Sequence, residues 1–312
     1  MLTGEALPNE THWMPRAVVN EAALPGGKIE LEYETLGSPD DPPVLLIMGF
    51  TAQLTLWPDG FCEALAGRGR HVIRFDNRDC GLSTKFDGVE VDIGAAMAAA
   101  MAEDPSQMPP IPYTLSDMAD DAAGLLRHLG IESAHIVGAS MGGMIAQVFA
   151  LEHPERTRTL VSIMSSPGDP EVGQPAPEAA AVLLATPPSD RAAYIENSVN
   201  SLVWQSKKYG DPDKQRETSA RQFDRSFYPE GAPRQLAAIY SGGRRADRLR
   251  ELDVPTLVIH GRDDTLIPPA AGFLTAEAIP GSALLFLSDM GHDLPEPLWP
   301  VIVDAIVSHT SR

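Results

Sequence analysis

Cysteine, aromatic residues and basic charge are all scarce in this sequence of 312 residues. Its two cysteines, Cys62 and Cys80, are too few for a disulfide framework or for a zinc site built from cysteine. So few cysteines are typical of a cytoplasmic protein with reduced thiols, and this is the location we expect. Residues 1–20 lack the basic and then apolar pattern of a signal peptide, so none is predicted there.

Positive charge and long apolar runs are missing as well. Lys and Arg number 24 against 43 Asp and Glu, which gives a formal net charge of −19. An acidic chain repels nucleic acids and anionic membrane surfaces, so neither is an expected partner. No run approaches the ~20 apolar residues of a membrane-spanning helix. The histidines show no metal-ligand spacing and no phosphate-binding glycine loop occurs, so neither a metal nor a cofactor is expected.

What the sequence does contain is an alternation of short β-rich runs with helical patterns. The clearest helix is Leu115–Leu129, where apolar residues recur at helical spacing; we expect Ser116 to cap its start and Gly130 to end it. Such alternation requires parallel strands with right-handed crossovers, and it predicts a mostly parallel, doubly wound α/β sheet. The predicted strands are 28–35, 44–48, 71–75, 135–137, 160–164, 256–260 and 283–287, and the other predicted helices are 61–67, 94–101, 141–151, 271–279 and 298–309.

The alternation stops between residues 167 and 250. This segment opens with a stretch rich in Pro, Gly and Ala and continues with polar helical patterns that carry aromatic residues. We predict a helical cap at 167–250, inserted into a core formed by residues 1–166 and 251–312. Eleven Lys and Arg and six Asp and Glu lie between Lys207 and Arg250. These charges are either solvated helix faces or a basic surface that holds the cap on the acidic core.

The strongest chemical signal is the motif Gly138-Ala139-Ser140-Met141-Gly142, which lies between a predicted strand and a predicted helix. A sharp strand-to-helix turn strains its central residue, and small neighbours let the strand and the helix pass close together. The hydroxyl of Ser140 is then exposed at the tip of the turn, at the positive end of a helix dipole. In this setting the motif predicts that Ser140 is a catalytic nucleophile.

A serine hydroxyl needs a base to become reactive, and the base needs a group that orients it. In the chain order that follows such a turn, each partner stands just after a late strand. His292 follows the strand at 283–287 and is the predicted base. Asp264 follows the strand at 256–260 and is favoured as the acid, because Gly-x-x-Asp-x-x-x-Pro is the usual arrangement on that loop; Asp263 is its competitor.

The charged oxygen of an acyl-transfer transition state needs two backbone N–H donors. We predict the amide of Met141, directly after the nucleophile, and the amide of Phe50, in the loop after the strand at 44–48. The polar loop Asp76–Ser83 is expected to hold the pocket wall. The side chains predicted to line an apolar pocket, with core packing an equal alternative for each, are Trp57, Met144, Trp204, Phe223 and Leu266.

With these motifs the chain resembles the α/β-hydrolase family over most of its predicted core. The motifs that carry the likeness are Met48-Gly49-Phe50, Asp76–Ser83, Gly138–Gly142, Leu151–Arg156, Gly261–Pro268 and Gly291-His292. More narrowly, it is similar to the aclacinomycin methylesterase type, whose members remove a methyl ester from a polyketide, at Leu46–Gly49, Trp57-Pro58-Asp59, His71–Asp76 and Ser140-Met141-Gly142. The resemblance implies a triad of Ser140, Asp264 and His292, an inserted helical cap and ester cleavage.

The expected function is therefore hydrolysis of small to medium hydrophobic carboxylic esters through an acyl-enzyme on Ser140, with a small-molecule ester as the partner. Other reactions of the same triad stay open, namely perhydrolysis or haloperoxidation, C–C bond hydrolysis and release of an N-terminal proline. A small-molecule receptor without turnover also stays open, as does a homodimer.

Overall fold

The described residues, 15–20 and 27–311 of a computed structural model, contain one eight-stranded sheet. In chain order its strands are β1 (Arg16–Asn20), β2 (Ile29–Leu36), β3 (Pro43–Ile47), β4 (His71–Phe75), β5 (Ala134–Ala139), β6 (Thr157–Ile163), β7 (Thr256–Gly261) and β8 (Ala283–Leu287). Their spatial order is β1-β2-β4-β3-β5-β6-β7-β8. Strand β2 is antiparallel to β1 and β4, and the other pairs are parallel. The mostly parallel sheet is confirmed; β1 was not predicted, because five residues carry too little alternation.

Helices cover both faces of the sheet. In the described part of the chain they are α1 (Asp59–Ala66), α2 (Ile93–Met101), α3 (Leu115–His128), α4 (Met141–Glu152), α5 (Pro177–Leu183), α6 (Arg191–Ser198), α7 (Pro212–Arg225), α8 (Ala232–Ser241), α9 (Ala246–Leu249), α10 (Pro269–Ala278) and α11 (Trp299–His309). One apolar core lies under α3, α4 and α10, and the other lies under α1 and α11. Within the described ranges, every helix is too short or too polar to cross a membrane.

Helix α3 begins one residue after Thr114, and its cap differs from the prediction. The Thr114 hydroxyl accepts a hydrogen bond from the Asp117 amide at 3.2 Å, and the Asp117 carboxylate accepts one from the Thr114 amide at 2.8 Å. This reciprocal pair satisfies two helix-end donors at once, so Thr114 and not Ser116 caps the helix. Ser116 donates instead to Glu152. Gly130, with φ at +70°, follows the helix end as expected.

The carboxyl ends of β3, β5, β7 and β8 lie along one edge of the sheet. Strand β3 pairs with β4 on one side and with β5 on the other, so the chain changes its direction of winding beside β3. In a doubly wound sheet, a crevice opens at this point outside the carboxyl ends of the strands. The loops after β3, β5, β7 and β8 carry every residue predicted for the chemistry.

Residues 167–250 form α5 to α9 and stand between β6 and β7. Both interpretations of their basic charge are realised. Arg225 and Arg234 form buried pairs with Asp76 and Asp79 of the polar loop, at 2.8 and 2.7 Å. Other ion pairs between this segment and the body, such as Lys214 with Glu296, are exposed and contribute little to stability. The two buried pairs therefore fix α7 and α8 to the body, since breaking such a pair strands a charge at a cost of about 3–5 kcal/mol.

Candidate active site

The turn between β5 and α4 holds Ser140 in a backbone conformation that few residues adopt. Ser140 has φ at +58° and ψ at −124°, and α4 begins at the next residue. Its amide donates to the Ile163 carbonyl at 2.9 Å, and its carbonyl accepts from the Ser165 hydroxyl at 2.8 Å. Such backbone strain persists only where the surroundings impose it. Here the end of β6 and the residues directly after it impose it, and Ser140 lines the cavity described below.

Three glycines make the turn sterically possible. A Cβ at Gly138 would lie 2.0 Å from the Gly142 carbonyl oxygen, and one at Gly142 would lie 2.0 Å from that of Ile47. A Cβ at Gly49 would lie 2.9 Å from the Cβ of Ser140 and 3.3 Å from its Oγ. Gly138 and Gly142 therefore let β3, β5 and α4 pack against one another. Gly49 brings the loop after β3 against the serine.

The loop after β8 places His292 between Ser140 and Asp264. The imidazole Nε2 lies 2.9 Å from the Ser140 Oγ, and Nδ1 lies 2.8 Å from the Asp264 Oδ2. A carboxylate can only accept a hydrogen bond, so these partners assign the proton to Nδ1. Nε2 is then free to accept the proton of the serine hydroxyl. Ser140, His292 and Asp264, which were predicted from distant loops, thus form one continuous chain of hydrogen bonds.

The loop after β7 distinguishes the two neighbouring aspartates. Asp264 is buried, and its second oxygen accepts from the amides of Leu266 and Ile267 at 3.0 and 2.8 Å. These bonds stabilise a carboxylate and fix its direction. Asp263 points away from His292 and accepts from the Lys207 amide, which lies between α6 and α7, at 3.3 Å. The structure therefore places Asp264, and not its competitor, against His292.

A second histidine lies beside Asp264, and sequence reasoning missed it. His260 is fully buried at the end of β7, with Nε2 2.9 Å from the Ile267 carbonyl oxygen and 3.5 Å from Asp264 Oδ2. Burial lowers the pKa of His260, which favours a neutral ring. The bond to Ile267 supports the loop that orients Asp264. The only sequence signal was its position, one residue before the Gly of the acid loop.

The two predicted oxyanion donors both line the same cavity as Ser140. Met141 is the first residue of α4, so its amide is one of those that a helix start leaves unpaired. The Phe50 amide lies in the loop that Gly49 brings against Ser140. Within the described part of the chain, neither amide donates a hydrogen bond to another protein group. Both donors therefore remain available to an oxygen bound in the cavity.

The cavity above Ser140 has a volume of about 1160 Å³ and lies between the sheet edge and helices α5 to α8. Of the predicted pocket residues, Met144, Trp204 and Leu266 line it. Several apolar lining residues that sequence reasoning missed come from α5, α6 and α8, namely Val182, Leu183, Tyr194, Leu236, Ile239 and Tyr240. Polar side chains of α7, such as Gln215 and Gln222, form part of another wall.

Two predicted pocket residues, Trp57 and Phe223, do not line the cavity. Trp57 is fully buried and stacks on Phe61 with ring centroids 5.8 Å apart, so it belongs to the core under α1 and α11. Phe223 packs against Phe227 and Tyr194, with centroids 4.6 and 5.3 Å apart. Those two rings reach the cavity and Phe223 supports them from behind. For both residues, the packing alternative is the correct one.

Asp293 ties the loop of His292 to the segment between α6 and α7. Its carboxylate accepts from the Ser206 amide of that segment at 3.0 Å and from the Gly291 amide at 3.1 Å. The His292 amide in turn donates to the Trp204 carbonyl at 2.7 Å. Burial raises the pKa of Asp293 from 3.8 to about 6. The carboxylate is therefore held in the protein at neutral pH at some cost in stability.

We expect Asp293→Asn to raise the free energy of unfolding, and to raise it more at pH 8 than at pH 5. The folded protein binds this proton more tightly than the unfolded chain, so the charged form costs stability increasingly as pH rises from 3.8 through about 6. Asn keeps the accepting oxygen and cannot ionise. The gain at pH 8 should be roughly 1–3 kcal/mol in urea titrations.

The matched control is Asp289→Asn, an acid on the same loop that pairs with Lys208 at the surface. It should change the free energy of unfolding by less than about 0.5 kcal/mol at either pH. An equal gain for Asp293→Asn at both pH values would contradict an origin in the charge of the buried carboxylate.

Comparison with known proteins identifies the family of the chain. The family model of the α/β-hydrolase fold matches residues 42–296. The chain is 28% identical to rhodomycin D methylesterase DauP of Streptomyces sp. (strain C5), over 91% of this chain and 95% of that protein. It is 29% identical to rhodomycin D methylesterase DnrP of Streptomyces peucetius, with the same coverage of both chains.

Solved structures give the same result for the fold. A thermophilic esterase from Thermogutta terrifontis is 26% identical, with a TM-score of 0.69 and coverage of 95% of this chain and 99% of that one. The meta-cleavage product hydrolase CumD of Pseudomonas fluorescens IP01 has a TM-score of 0.73 at 20% identity, covering 96% and 98% of the two chains. This second likeness concerns the fold alone. The predicted family is confirmed, and the chain belongs to the α/β-hydrolase family.

Proposed function

We propose that this protein is a serine carboxylesterase that removes a small alcohol, such as methanol, from a bulky hydrophobic carboxylic ester. The observation that carries the proposal is the hydrogen-bonded chain Asp264–His292–Ser140, which ends at the floor of a large cavity. The methylesterases DauP and DnrP, similar over most of their length, support a methyl ester as the bond that is cleaved.

The first half of the reaction acylates the serine. As the Ser140 hydroxyl attacks the ester carbonyl, its proton passes to Nε2 of His292 and a tetrahedral oxyanion forms. The Phe50 and Met141 amides donate hydrogen bonds to this oxyanion. Asp264 keeps the ring oriented and stabilises the imidazolium. The carbon–oxygen bond to the alcohol then breaks, and the alcohol leaves with the proton from His292.

The second half returns the enzyme to its starting state. Water gives a proton to His292 and attacks the acyl-enzyme carbonyl, so a second oxyanion forms at the same two amides. This intermediate expels Ser140, which regains its proton from the imidazolium, and the carboxylic acid departs. Each oxyanion donor contributes about 3 kcal/mol to the barrier reduction in enzymes of this type.

The size of the cavity supports a bulkier acyl group than the small to medium esters expected from the sequence. Pockets for small ligands usually have volumes of about 300–1,000 Å³, and this one has about 1160 Å³. Its apolar lining includes Met144 and Leu266 beside Ser140, and Leu236 and Tyr240 of the cap. We therefore propose that residues 167–250 act as a cap that recognises the acyl part, while residues 1–166 and 251–312 supply the chemistry.

The proposal is tested by trapping the nucleophile and by grading substrates. A fluorophosphonate should add once to the protein, on the peptide that contains Ser140, and should abolish hydrolysis. In a panel of methyl esters, kcat/KM should rise as the acyl group grows from acetyl to a polycyclic aromatic acid. A label on another residue, or the absence of turnover on every ester, would contradict the proposal.

The other reactions of the triad are separated by the same panel. Hydrogen peroxide with acetate, a vinylogous 1,5-diketone and an N-terminal prolyl amide report perhydrolysis, C–C bond hydrolysis and iminopeptidase activity respectively. We expect each kcat/KM to lie well below that of the best methyl ester. The small-molecule receptor predicts binding in the cavity with no turnover of any of these compounds.

We further propose a cytoplasmic location and a small-molecule ester, rather than nucleic acid, as the partner. Cys62 and Cys80 are buried free thiols, which suit a reducing compartment. The net charge of −19 opposes binding to phosphate backbones. Fractionation of cells that produce the protein, with activity assayed in each fraction, tests the location.

A further inference from the structure

The loop after β3 fixes the peptide that carries the Phe50 N–H. Asn77 is buried and donates from Nδ2 to the Met48 carbonyl at 2.8 Å. This bond holds the Met48–Gly49 peptide, which directly precedes the Gly49–Phe50 peptide. The Gly49 carbonyl accepts from the Ala52 amide at 3.2 Å. Because C=O and N–H point in opposite directions across a trans peptide, this bond directs the Phe50 N–H away from the turn.

The peptide that follows is held from the cap. The Thr51 amide donates to Oε1 of Gln235 at 2.8 Å. Thr51 has φ at +54°, which a β-branched residue rarely adopts without an imposed constraint. The peptides on both sides of the Gly49–Phe50 peptide are thus tied to side-chain amides, one from the body and one from α8.

Gln235 is itself rigidly placed. It is fully buried, and its Nε2 donates to the Arg78 carbonyl at 2.8 Å, so both ends of the amide are used. The preceding residue, Arg234, binds both carboxylate oxygens of Asp79 at 2.7 and 2.9 Å. A Cβ at Gly231 would lie 2.2 Å from the Asp79 carbonyl oxygen, so the chain entering α8 packs directly on the polar loop Asp76–Ser83.

We propose that Gln235 is a positioning residue for the oxyanion hole. It acts through the Thr51 amide to keep the Phe50 N–H aimed at the oxygen of the tetrahedral intermediate. This inference rests on the proposed function, because it needs an oxyanion to form on Ser140. It places α8, which lies in the predicted cap, among the elements required for the chemical step.

The effect follows from the angular dependence of hydrogen bonds. A donor that rotates by some tens of degrees loses most of its attraction for the acceptor. Without Gln235 the Thr51 peptide is free to leave its strained conformation, and the Phe50 peptide turns with it. We expect the oxyanion to lose much of one donor, and kcat/KM to fall by about 10- to 100-fold.

The test compares Gln235→Met, Gln235→Ala and Gln235→Glu with the wild-type protein. Met keeps the volume of the Gln235 side chain but makes neither of its two hydrogen bonds. Gln235→Ala replaces it in the comparison if the Gln235→Met protein does not fold. Protonated Glu reproduces the acceptor and the donor and should retain more activity than Met. The matched control is Gln147→Met. Gln147 is equally buried, but its hydrogen bonds are to Ser162 and Arg245 and not to the loop after β3.

The decisive readout is the ratio of kcat/KM for an ester to that for its thionoester, in which sulfur replaces the carbonyl oxygen. Sulfur accepts hydrogen bonds weakly, so the thionoester gains little from the oxyanion hole. A displaced Ser140 or His292 would slow both substrates equally and leave the ratio unchanged. We expect the ratio to fall about tenfold in Gln235→Met or Gln235→Ala, and to stay within twofold of the wild-type value in Gln147→Met.

A folded Gln235→Met or Gln235→Ala variant whose ratio lies within twofold of the wild-type value would overturn the inference. So would a Glu variant whose ratio is no closer to the wild-type value than that of Met. Failure of the proposed function is a different result, because the wild-type protein would then hydrolyse no ester. The experiment therefore begins with wild-type turnover and its loss on fluorophosphonate labelling.

Discussion

Ser140→Ala is expected to lower kcat for ester hydrolysis by about 10⁴- to 10⁶-fold while the protein keeps its fold. The hydroxyl oxygen supplies the bond to the acyl group, and Ala has no atom that replaces it. The oxyanion amides and the cavity remain, so a small residual rate over water is expected. Stopped and continuous assays with a p-nitrophenyl ester measure kcat, and a thermal melt with circular dichroism checks the fold.

The control for this variant is Ser162→Ala. Ser162 is a buried serine on the neighbouring strand β6, and its hydroxyl accepts from Gln147. Its loss should leave kcat within about twofold, because surface and core hydroxyls remote from the reacting atoms do not enter the chemical step. Wild-type turnover by Ser140→Ala would end the assignment of the nucleophile.

Asp264→Asn should lower kcat by about 10⁴-fold, which is nearly as large a loss as that expected for Ser140→Ala. The carboxylate accepts the Nδ1 proton of His292 at 2.8 Å. An Asn whose NH₂ group faces the ring favours the tautomer with the proton on Nε2, which cannot take the proton of Ser140. The amide also gives no charge to stabilise the imidazolium. Steady-state kinetics from pH 6 to pH 9 measure the loss.

Asp263→Asn is the matched control, since the sequence favoured Asp264 and left Asp263 as its competitor. Its side chain accepts from the Lys207 amide of the cap. We expect kcat to stay within about threefold and the change to appear mainly in cap stability. If Asp263→Asn lost as much activity as Asp264→Asn, the geometry of the acid loop would not account for catalysis.

The positions of Ser140, His292 and Asp264 were predictable because each lies directly after a strand, in a short motif or loop that the sequence shows. A strand, a five-residue glycine motif and a helix in succession leave one conformation for Ser140. Loops that follow parallel strands must meet at one edge of the sheet, so His292 and Asp264 were findable from their place after β8 and β7. The continuous apolar runs of β3 and β4 are fully buried, and their observed bounds differ by at most one residue from the predicted ones.

The pocket wall was less predictable because packing is not local. Trp57 and Phe223 have the composition of pocket residues, yet one fills the core and the other supports Phe227. Aromatic side chains are favoured in both environments, so the residue type does not distinguish them. Helices α5 to α8 carry a polar and apolar mixture whose inward face depends on how each helix is docked.

The sequence by itself determined the doubly wound sheet, the serine turn and the order of the three side chains. Each of these follows from periodicity or from a short motif, in which steric limits act between near neighbours in the chain. The loop pattern also favoured Asp264 over Asp263, and the structure places Asp264 against His292. Only the tertiary structure decided that Gln235 and Ser206 reach the loop after β3 and the loop of His292. The physical reason is that hydrogen bonds and close packing between distant segments depend on the docking of whole elements, which no local pattern encodes.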